Sequence, residues 1–437
     1  MAIHLGKASG ERDLAMNVVE VADQAYCGCD MPETGNLLSV DAALQLGLGL
    51  ARPIEEVEEV ALEAAIGRVL AHPLHAPGPL PAFDNSGMDG YGVRRGDLVG
   101  DGPWHLAVSS RIAAGDPGYS RVSPGSAVRI FTGAPVPPGC DAVIRQEDVR
   151  LRGDRIEIAT RPGRQENIRK RGEDVTQGQV VLPGGVVIGP KEAAALASCG
   201  MGKVGVTRQL RVAILTTGSE LRDPGDALAP GQIWNANRYQ LRAALSAPWI
   251  ALADLGAVPD DPRMLADVVR EAAATADLIV STGGVSVGDE DHMVNVLREI
   301  GQEVIALKIA MKPGKPQVMA RIGAALAIGL PGNPVSAFVS WKVIGARIAE
   351  KLSGQQAPRH ARRLVHAGFS EKRNPGRCEF RPARLMGRDG SGMEIAEAPH
   401  LAFSARVALL AASDGLLLIP AETDTIAQGD LLEFLPF

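Results

Sequence analysis

The chain has 437 residues, of which 46% are hydrophobic and 22% charged, a composition that buries a substantial core and excludes a mostly disordered chain. At roughly 150 residues per domain, that length divides into about three compact units. Forty-five Lys and Arg against 51 Asp and Glu leave a formal charge of -6, so duplex binding driven by phosphate neutralisation has no global support, and any anion site must rest on local basic clusters.

From the N-terminus, residues 1–36 show no sustained hydrophobic period and are expected to form a flexible leader; Lys7, Glu11, Arg12 and Asp13 exclude a secretory signal. No run of about 18 apolar residues occurs, so a soluble, cytoplasmic protein is expected. Cys27, Cys29, Cys140, Cys199 and Cys378 are an odd set without Cys-x-x-Cys spacing, the usage of reduced thiols rather than of a disulfide framework.

Ser39 is placed to cap a helix over 40–50, in which Val40, Leu44 and Leu48 recur at near-helical spacing. From about 51 to 210 the pattern changes to short β-type runs broken by Gly, Pro, Asn and Asp, with strands expected at 127–131, 142–144 and 180–182. The turn clusters at 81–92 and 132–141 point to small β-rich subdomains. From Arg211 a new rhythm begins: a strand at 212–215 runs into Gly218, one at 278–280 into Gly283 and Gly284, and one at 325–328 into Gly329 and Gly332, followed by an apolar helix from Val335 to about Leu352. Strand, Gly-rich loop and helix in alternation mark a doubly wound parallel α/β domain, whose ligands gather beyond the carboxyl ends of the strands. The last 80 or so residues return to short apolar runs such as 416–419, consistent with a small C-terminal β domain. The fold class is therefore α/β multidomain. The expected units are the helix at 37–50 packing with the α/β domain, an extended linking β domain from 51–75 and 179–209, a β-rich insert at 76–178, the α/β ligand-binding domain at 210–355 and a β domain at 356–437.

Common phosphate fingerprints are missing: Gly200-Met201-Gly202-Lys203 lacks the Ser or Thr of a P-loop, and Gly47-x-Gly49 lacks a third Gly. His72 and His75, separated by Pro73, read as loop residues. Residues 81–93 pack Asp84, Asn85, Ser86 and Asp89 into one loop, suited either to several contacts with one ligand or to a turn whose side chains bond their own backbone. Thr132 ends a strand before a proline-stiffened turn, and Arg169, Lys170 and Arg171 adjoin Glu173 and Asp174, as a phosphate grip or as a solvated hairpin.

The richest cluster lies in the α/β part. Gly283, Gly284 and Ser286 lead into Asp289, Glu290 and Asp291, joining a backbone anion cradle to acids that suit a phosphate and its Mg²⁺. Glu220 and Asp260, each just after an expected strand, fall on the same sheet edge and extend that oxygen shell. Lys308, Lys312, Lys315 and the 331–336 loop, with Pro331, Pro334 and Ser336, add positive charge and backbone donors; Pro313 and Pro316 stiffen the turn that carries two of the lysines.

With these residues laid out, the chain resembles the MoeA-type molybdopterin molybdenumtransferases, the family that includes the enzymatic domain of gephyrin. The likeness runs from about residue 37 to the end through strings at 83–93, 129–138, 167–174, 217–221, 283–288, 312–316 and 330–336, all in family order. The resemblance implies an elongated, four-part homodimer in which the α/β domain of one subunit faces the β-rich insert of the other. It implies insertion of molybdate, as substrate, into adenylylated molybdopterin with release of AMP, and Mg²⁺ as cofactor. Asp89 and Thr132 then correspond to catalytic contacts from the insert; Glu220, Asp260 and Asp291 to catalytic acids that hold Mg²⁺; and Ser286, Lys308, Lys312, Lys315, Pro331, Pro334, Ser336, Arg381 and Ser404 to the substrate side. No membrane or nucleic-acid partner is implied.

The chain departs from the family pattern at Gly87 and Gly92, where alanines are usual and where glycine is expected to loosen the first motif, and at Asn235 and Pro259. Serine pairs near the C-terminus align with Phe403-Ser404 and Ala408-Leu409, so a hydroxyl expected near the anion is missing. Two other readings stand beside this one: a pterin adenylyltransferase, against which the long β insert and the C-terminal domain argue, and a non-enzymatic dimeric scaffold.

Overall fold

The computed structural model describes residues 37–117, 121–285, 292–356, 362–399 and 405–437. The leader expected at 1–36 and the site residues Ser286, Asp291 and Ser404 lie outside the described residues. Helix α1 spans Val40–Leu50; its N-terminus is fixed by Ser39, whose extended backbone lets Oγ accept from the Ala42 N–H at 3.1 Å. Val40, Ala43 and Leu50 bury α1 against the α/β core.

The chain leaves for the insert and returns beside itself. Val57–Ala61 pairs antiparallel with Lys203–Thr207, and Leu74–His75 with Val180–Leu182. These strands and the helix Pro190–Ser198 share an apolar cluster around Leu70, Ile188 and Leu196. The insert itself is a six-stranded sheet in the order Ala142–Arg145, Gly90–Val93, Ser126–Ile130, Trp104–Ile112, Arg155–Ile158, Val149–Arg152. Gly92, expected to loosen its motif, instead lies buried within a strand, where an added Cβ would come within 2.9 Å of Cys140 Sγ. The volume an alanine would fill is taken by the Cys140 side chain, so packing is kept.

The α/β domain is built from β1 (Leu210–Thr217), α2 (Ala236–Ala244), β2 (Ile250–Val258), α3 (Pro262–Thr275), β3 (Leu278–Thr282), α4 (His292–Ile300), β4 (Gln302–Lys308), β5 (Pro316–Ile322), β6 (Ala325–Leu330), α5 (Pro334–Ser340) and α6 (Ala346–Leu352). One π-helical turn, Trp341–Gly345, joins α5 to α6, so the expected apolar helix runs through with a local widening. The sheet order is β2-β1-β3-β6-β5-β4. Its first four strands are parallel; β5 alone runs in the opposite sense, antiparallel to both β6 and the edge strand β4. Alternate residues of β1 face opposite layers: Val212 and Ile214 meet α1, α2 and the α5–α6 helix, and Ala213 and Leu215 meet α3 and α4. Burial on both faces requires near-continuous apolar strands, and the sequence supplies them.

The C-terminal domain is a sheet closed on itself. Cys378–Arg388, Glu394–Glu397, Arg363–Ala367, Leu431–Pro436 and Gly415–Ile419 follow in order, and the last pairs back to the first. Met311–Lys312, an outlying segment of the α/β domain, pairs in parallel with the start of Cys378–Arg388, register Lys312 to Glu379. That pairing carries Lys312 onto the C-terminal domain. Among the described residues, no helix is long and apolar enough to cross a membrane.

Candidate functional site

Because β1, β2, β3 and β6 are parallel, the loops at their carboxyl ends open on the same edge of the sheet. They surround a cleft of about 660 Å³ lined by Thr217, Gly218, Glu220, Asp260, Thr282 to Val285, Pro331 to Pro334, Ser336 and Ala405. Six of the expected site residues are accounted for here: Glu220, Asp260, Pro331, Pro334 and Ser336 line the cleft, and Lys315 is an exposed cation immediately before the lining residue Pro316.

The acid wall is held by short-range bonds. The Ser219 N–H donates to Asp260 Oδ2 at 2.8 Å, and the Asp260 N–H donates to Ser219 Oγ at 3.4 Å, so the loops after β1 and β2 brace each other. Glu220 folds back over Gly218, with its carboxylate oxygens 2.5 and 2.8 Å from where a Cβ would stand. Gly218 also has φ +149°, so both backbone and space call for glycine there. On the opposite side, Asn237 Nδ2 donates to the Gly332 carbonyl at 2.6 Å and to Thr282 Oγ1 at 3.3 Å, joining the start of α2 to the loops after β3 and β6. Asn235, where the family pattern has Asp, uses both ends of its amide: Oδ1 accepts from the Arg238 N–H and caps α2, and Nδ2 donates to Thr216 Oγ1 at 2.7 Å. A carboxylate has no donor for the second bond.

Lys312 sits in a separate hollow of about 490 Å³ on the C-terminal domain, lined also by Glu371, Lys372, Arg373, Arg377 and Glu379. Its Nζ lies 3.4 Å from Glu379 Oε1. Arg381, expected to face the substrate as a cation, faces inward instead. It is 1% exposed, and its guanidinium is bound to Glu371 and to Glu379, with Nη2 to Glu379 Oε2 at 3.1 Å. Burial opposes its charge, yet the hydrogen bonds from those two carboxylates hold its pKa above the ordinary value. Arg381 therefore orients Glu379, which in turn meets Lys312; the guanidinium groups that line the hollow are those of Arg373 and Arg377, which sequence reasoning passed over. Lys308 is exposed at the end of β4 and is not among the cleft-lining residues.

In the insert, two motifs 43 positions apart meet: Thr132 donates to Asp89 Oδ1 from both its N–H and its hydroxyl, each at 2.8 Å. Those two bonds, the backbone one foremost, lower the Asp89 pKa below the usual carboxylate value. Of the basic hairpin, Lys170 Nζ is paired with Asp84 at 2.7 Å, and the Arg171 N–H donates to the same carboxylate. Among the described residues, none of those lining the α/β cleft comes from the insert. Sequence reasoning also missed Asn237 and Trp234; an aromatic just ahead of a helix and an amide in its first turn, in a strand–loop–helix unit of a chain with 4% aromatic residues, were the available signal.

The fold and these hollows define a multidomain α/β protein with a carboxylate- and glycine-lined ligand cleft beyond the carboxyl ends of its parallel strands. Three family profiles cover the chain in order: "MoeA N-terminal region (domain I and II)" at residues 38–200, "Probable molybdopterin binding domain" at 213–351 and "MoeA C-terminal region (domain IV)" at 365–437. A molybdopterin molybdenumtransferase of Haemophilus influenzae is 37% identical over 390 residues, 87% of this chain and 94% of its own. Molybdopterin molybdenumtransferase 2 of Mycobacterium tuberculosis is 35% identical over 86% of this chain and 93% of its own. The crystal structure of a molybdopterin biosynthesis MoeA protein from Pyrococcus horikoshii matches 92% of this chain and all of that one, at 27% identity and a TM-score of 0.79. The chain belongs to the MoeA family.

Proposed function

We propose that this protein is a molybdopterin molybdenumtransferase that inserts molybdate into adenylylated molybdopterin and releases AMP. The observation that carries this reading is the single cleft in which Glu220 and Asp260 stand with the glycine loops and Ser336, in a chain whose near-full-length relatives bear that name. Mg²⁺ suits this donor set. Two carboxylates on bracing loops, one with an oxygen committed to the Ser219 N–H, are the kind of protein contribution Mg²⁺ takes alongside phosphate oxygens. Glu220 and Asp260 would hold it, with Asp291 as a third ligand, and when bound it supplies positive charge against the phosphoanhydride.

The chain's own residues do the rest. Gly283 and Gly284 let backbone approach the phosphate, the bracing of Ser219 and Asp260 keeps the acid wall in place, and Lys312, Lys315 and Arg377 offer cations to a tetrahedral dianion. Asp89 and Thr132 lie on a different domain from the cleft, which supports a homodimer whose site takes the insert from the second subunit. A cytoplasmic location completes the reading, in keeping with Cys140, Cys199 and Cys378 as free thiols.

Incubation with adenylylated molybdopterin and molybdate tests it. Molybdate-dependent AMP release with cofactor formation is expected. Adenylylation of molybdopterin from ATP would replace this reading with the adenylyltransferase, and neither activity would leave the scaffold.

A further inference from the structure

Trp234 lines the cleft and yet is 55% exposed. A tryptophan left half in water forgoes much of the burial free energy of the largest side chain, so its exposure inside a concave site points to a ligand. The indole is pinned by its edge: Nε1–H donates to the Asp226 carbonyl at 3.3 Å. The segment supplying that carbonyl is itself anchored, because Arg238 Nη1 donates to Asp223 at 2.6 Å and Arg238 Nε to Asp254, on β2, at 3.0 Å. Ile233 beside it is 53% exposed, and Leu221, its partner across a short parallel pair, is half-buried, so the cleft wall around the indole is apolar. The same cleft carries the carboxylates and glycine loops.

A planar indole face with apolar neighbours, next to an acid-and-glycine wall, matches a ligand with a planar ring at one end and a phosphate at the other. We infer that Trp234 is the stacking platform for a nitrogen heterocycle of the substrate and a specificity-determining residue of the cleft. This rests on the functional reading above, whose substrate carries two such rings, an adenine and a pterin, and it adds which side chain holds one of them. Base–aromatic stacking tolerates many rings because each presents a π-face, so the probes must tell the two sources apart.

The experiment is calorimetric binding of AMP and of a phosphorylated pterin, each with Mg²⁺, to the full chain as wild type, Trp234→Ala and Trp234→Phe. Trp234→Ala is expected to weaken one probe by about 5- to 150-fold, the range for loss of one stacked ring, while Trp234→Phe stays within about threefold of wild type. Loss for AMP assigns the adenine, and loss for the pterin assigns the pterin ring. Equal affinity of wild type and Trp234→Ala for both probes overturns the stacking and leaves the functional reading standing. A Trp234→Phe as weak as Trp234→Ala also overturns it, because the indole N–H rather than the ring face would then matter. Wild type that binds neither probe overturns the stacking and the functional reading together.

Discussion

Arg377 and Arg381 lie four residues apart and meet opposite fates. The Arg381 guanidinium is shared by Glu371 and Glu379 inside the C-terminal domain, whereas Arg377 lines the hollow beside Lys312. Removing the shared cation from buried carboxylates is strongly destabilising, so Arg381→Ala is expected to lose about 3 to 5 kcal/mol in urea unfolding. Arg377→Ala should unfold within about 0.5 kcal/mol of wild type, while its molybdate requirement in the AMP-release assay rises roughly 10- to 150-fold, the worth of one charge-assisted hydrogen bond. An Arg381→Ala protein of normal stability with a raised molybdate requirement would return Arg381 to the substrate. The sequence shows that two arginines are present but not which one the closing sheet turns inward. Asp89 and Thr132 were each legible from their own motifs, whereas their double hydrogen bond comes only from the strand pairing that brings the two motifs together.

The three strand–loop–helix repeats were readable because each glycine loop follows an apolar strand, and parallel strands then place the loops on one edge. The antiparallel β4 and β5 were not readable. From Gln317 to Ile322, β5 is buried throughout, and a strand covered on both faces carries no alternation from which to read its direction. At the opposite ends of the strands, Asp277 fastens β3 to β1. It accepts from the Arg211 N–H and Nη2 at 2.8 Å each and from Arg208 Nη1 at 2.7 Å. Burial opposes the charge of Asp277, but the hydrogen bonds from Arg211 and Arg208 outweigh it and hold the pKa down at about 2. The folded value lies below the unfolded one of about 3.9, so this stabilisation is complete above about pH 4 and is lost as the pH falls toward 2. Asp277→Asn is accordingly expected to be about 2 kcal/mol less stable at pH 7, with the gap closing between pH 4 and pH 2, as urea titrations at a series of pH values would show. A gap that is constant with pH would remove the charge from the account.

On the scale of the whole molecule, the cleft acids and the Asp89–Thr132 pair stand on separate domains, and the long insert is the reason. The shared-site reading expects Asp89→Ala and Asp260→Ala subunits, each inactive alone, to regain activity when mixed, because one of the two sites in a heterodimer has neither defect. The recovered rate should approach a quarter of the wild-type rate per subunit pool, since about half of randomly exchanged dimers are mixed and each has one intact site. No recovery after subunit exchange verified by mass would confine each site to one chain. The domain pattern was legible as changes of rhythm along the sequence. The sideways pairing of Met311–Lys312 with Cys378–Arg388, which sets Lys312 on another domain, was hidden because a two-residue strand leaves no period.

The Asn237 amide holds the Thr282 hydroxyl and the Gly332 carbonyl at once, which makes the cleft floor a single latch instead of two flaps. The Gly283 N–H, bonded to the Leu330 carbonyl at 3.1 Å, lies beneath the same latch. Opening to solvent on one side must release the other, so the backbone amide of Gly283 is expected to exchange hydrogen for deuterium only when both contacts of the Asn237 amide open. In Asn237→Asp a carboxylate faces the Gly332 carbonyl and has no proton to give, so the Gly283 amide should exchange faster than in the wild type.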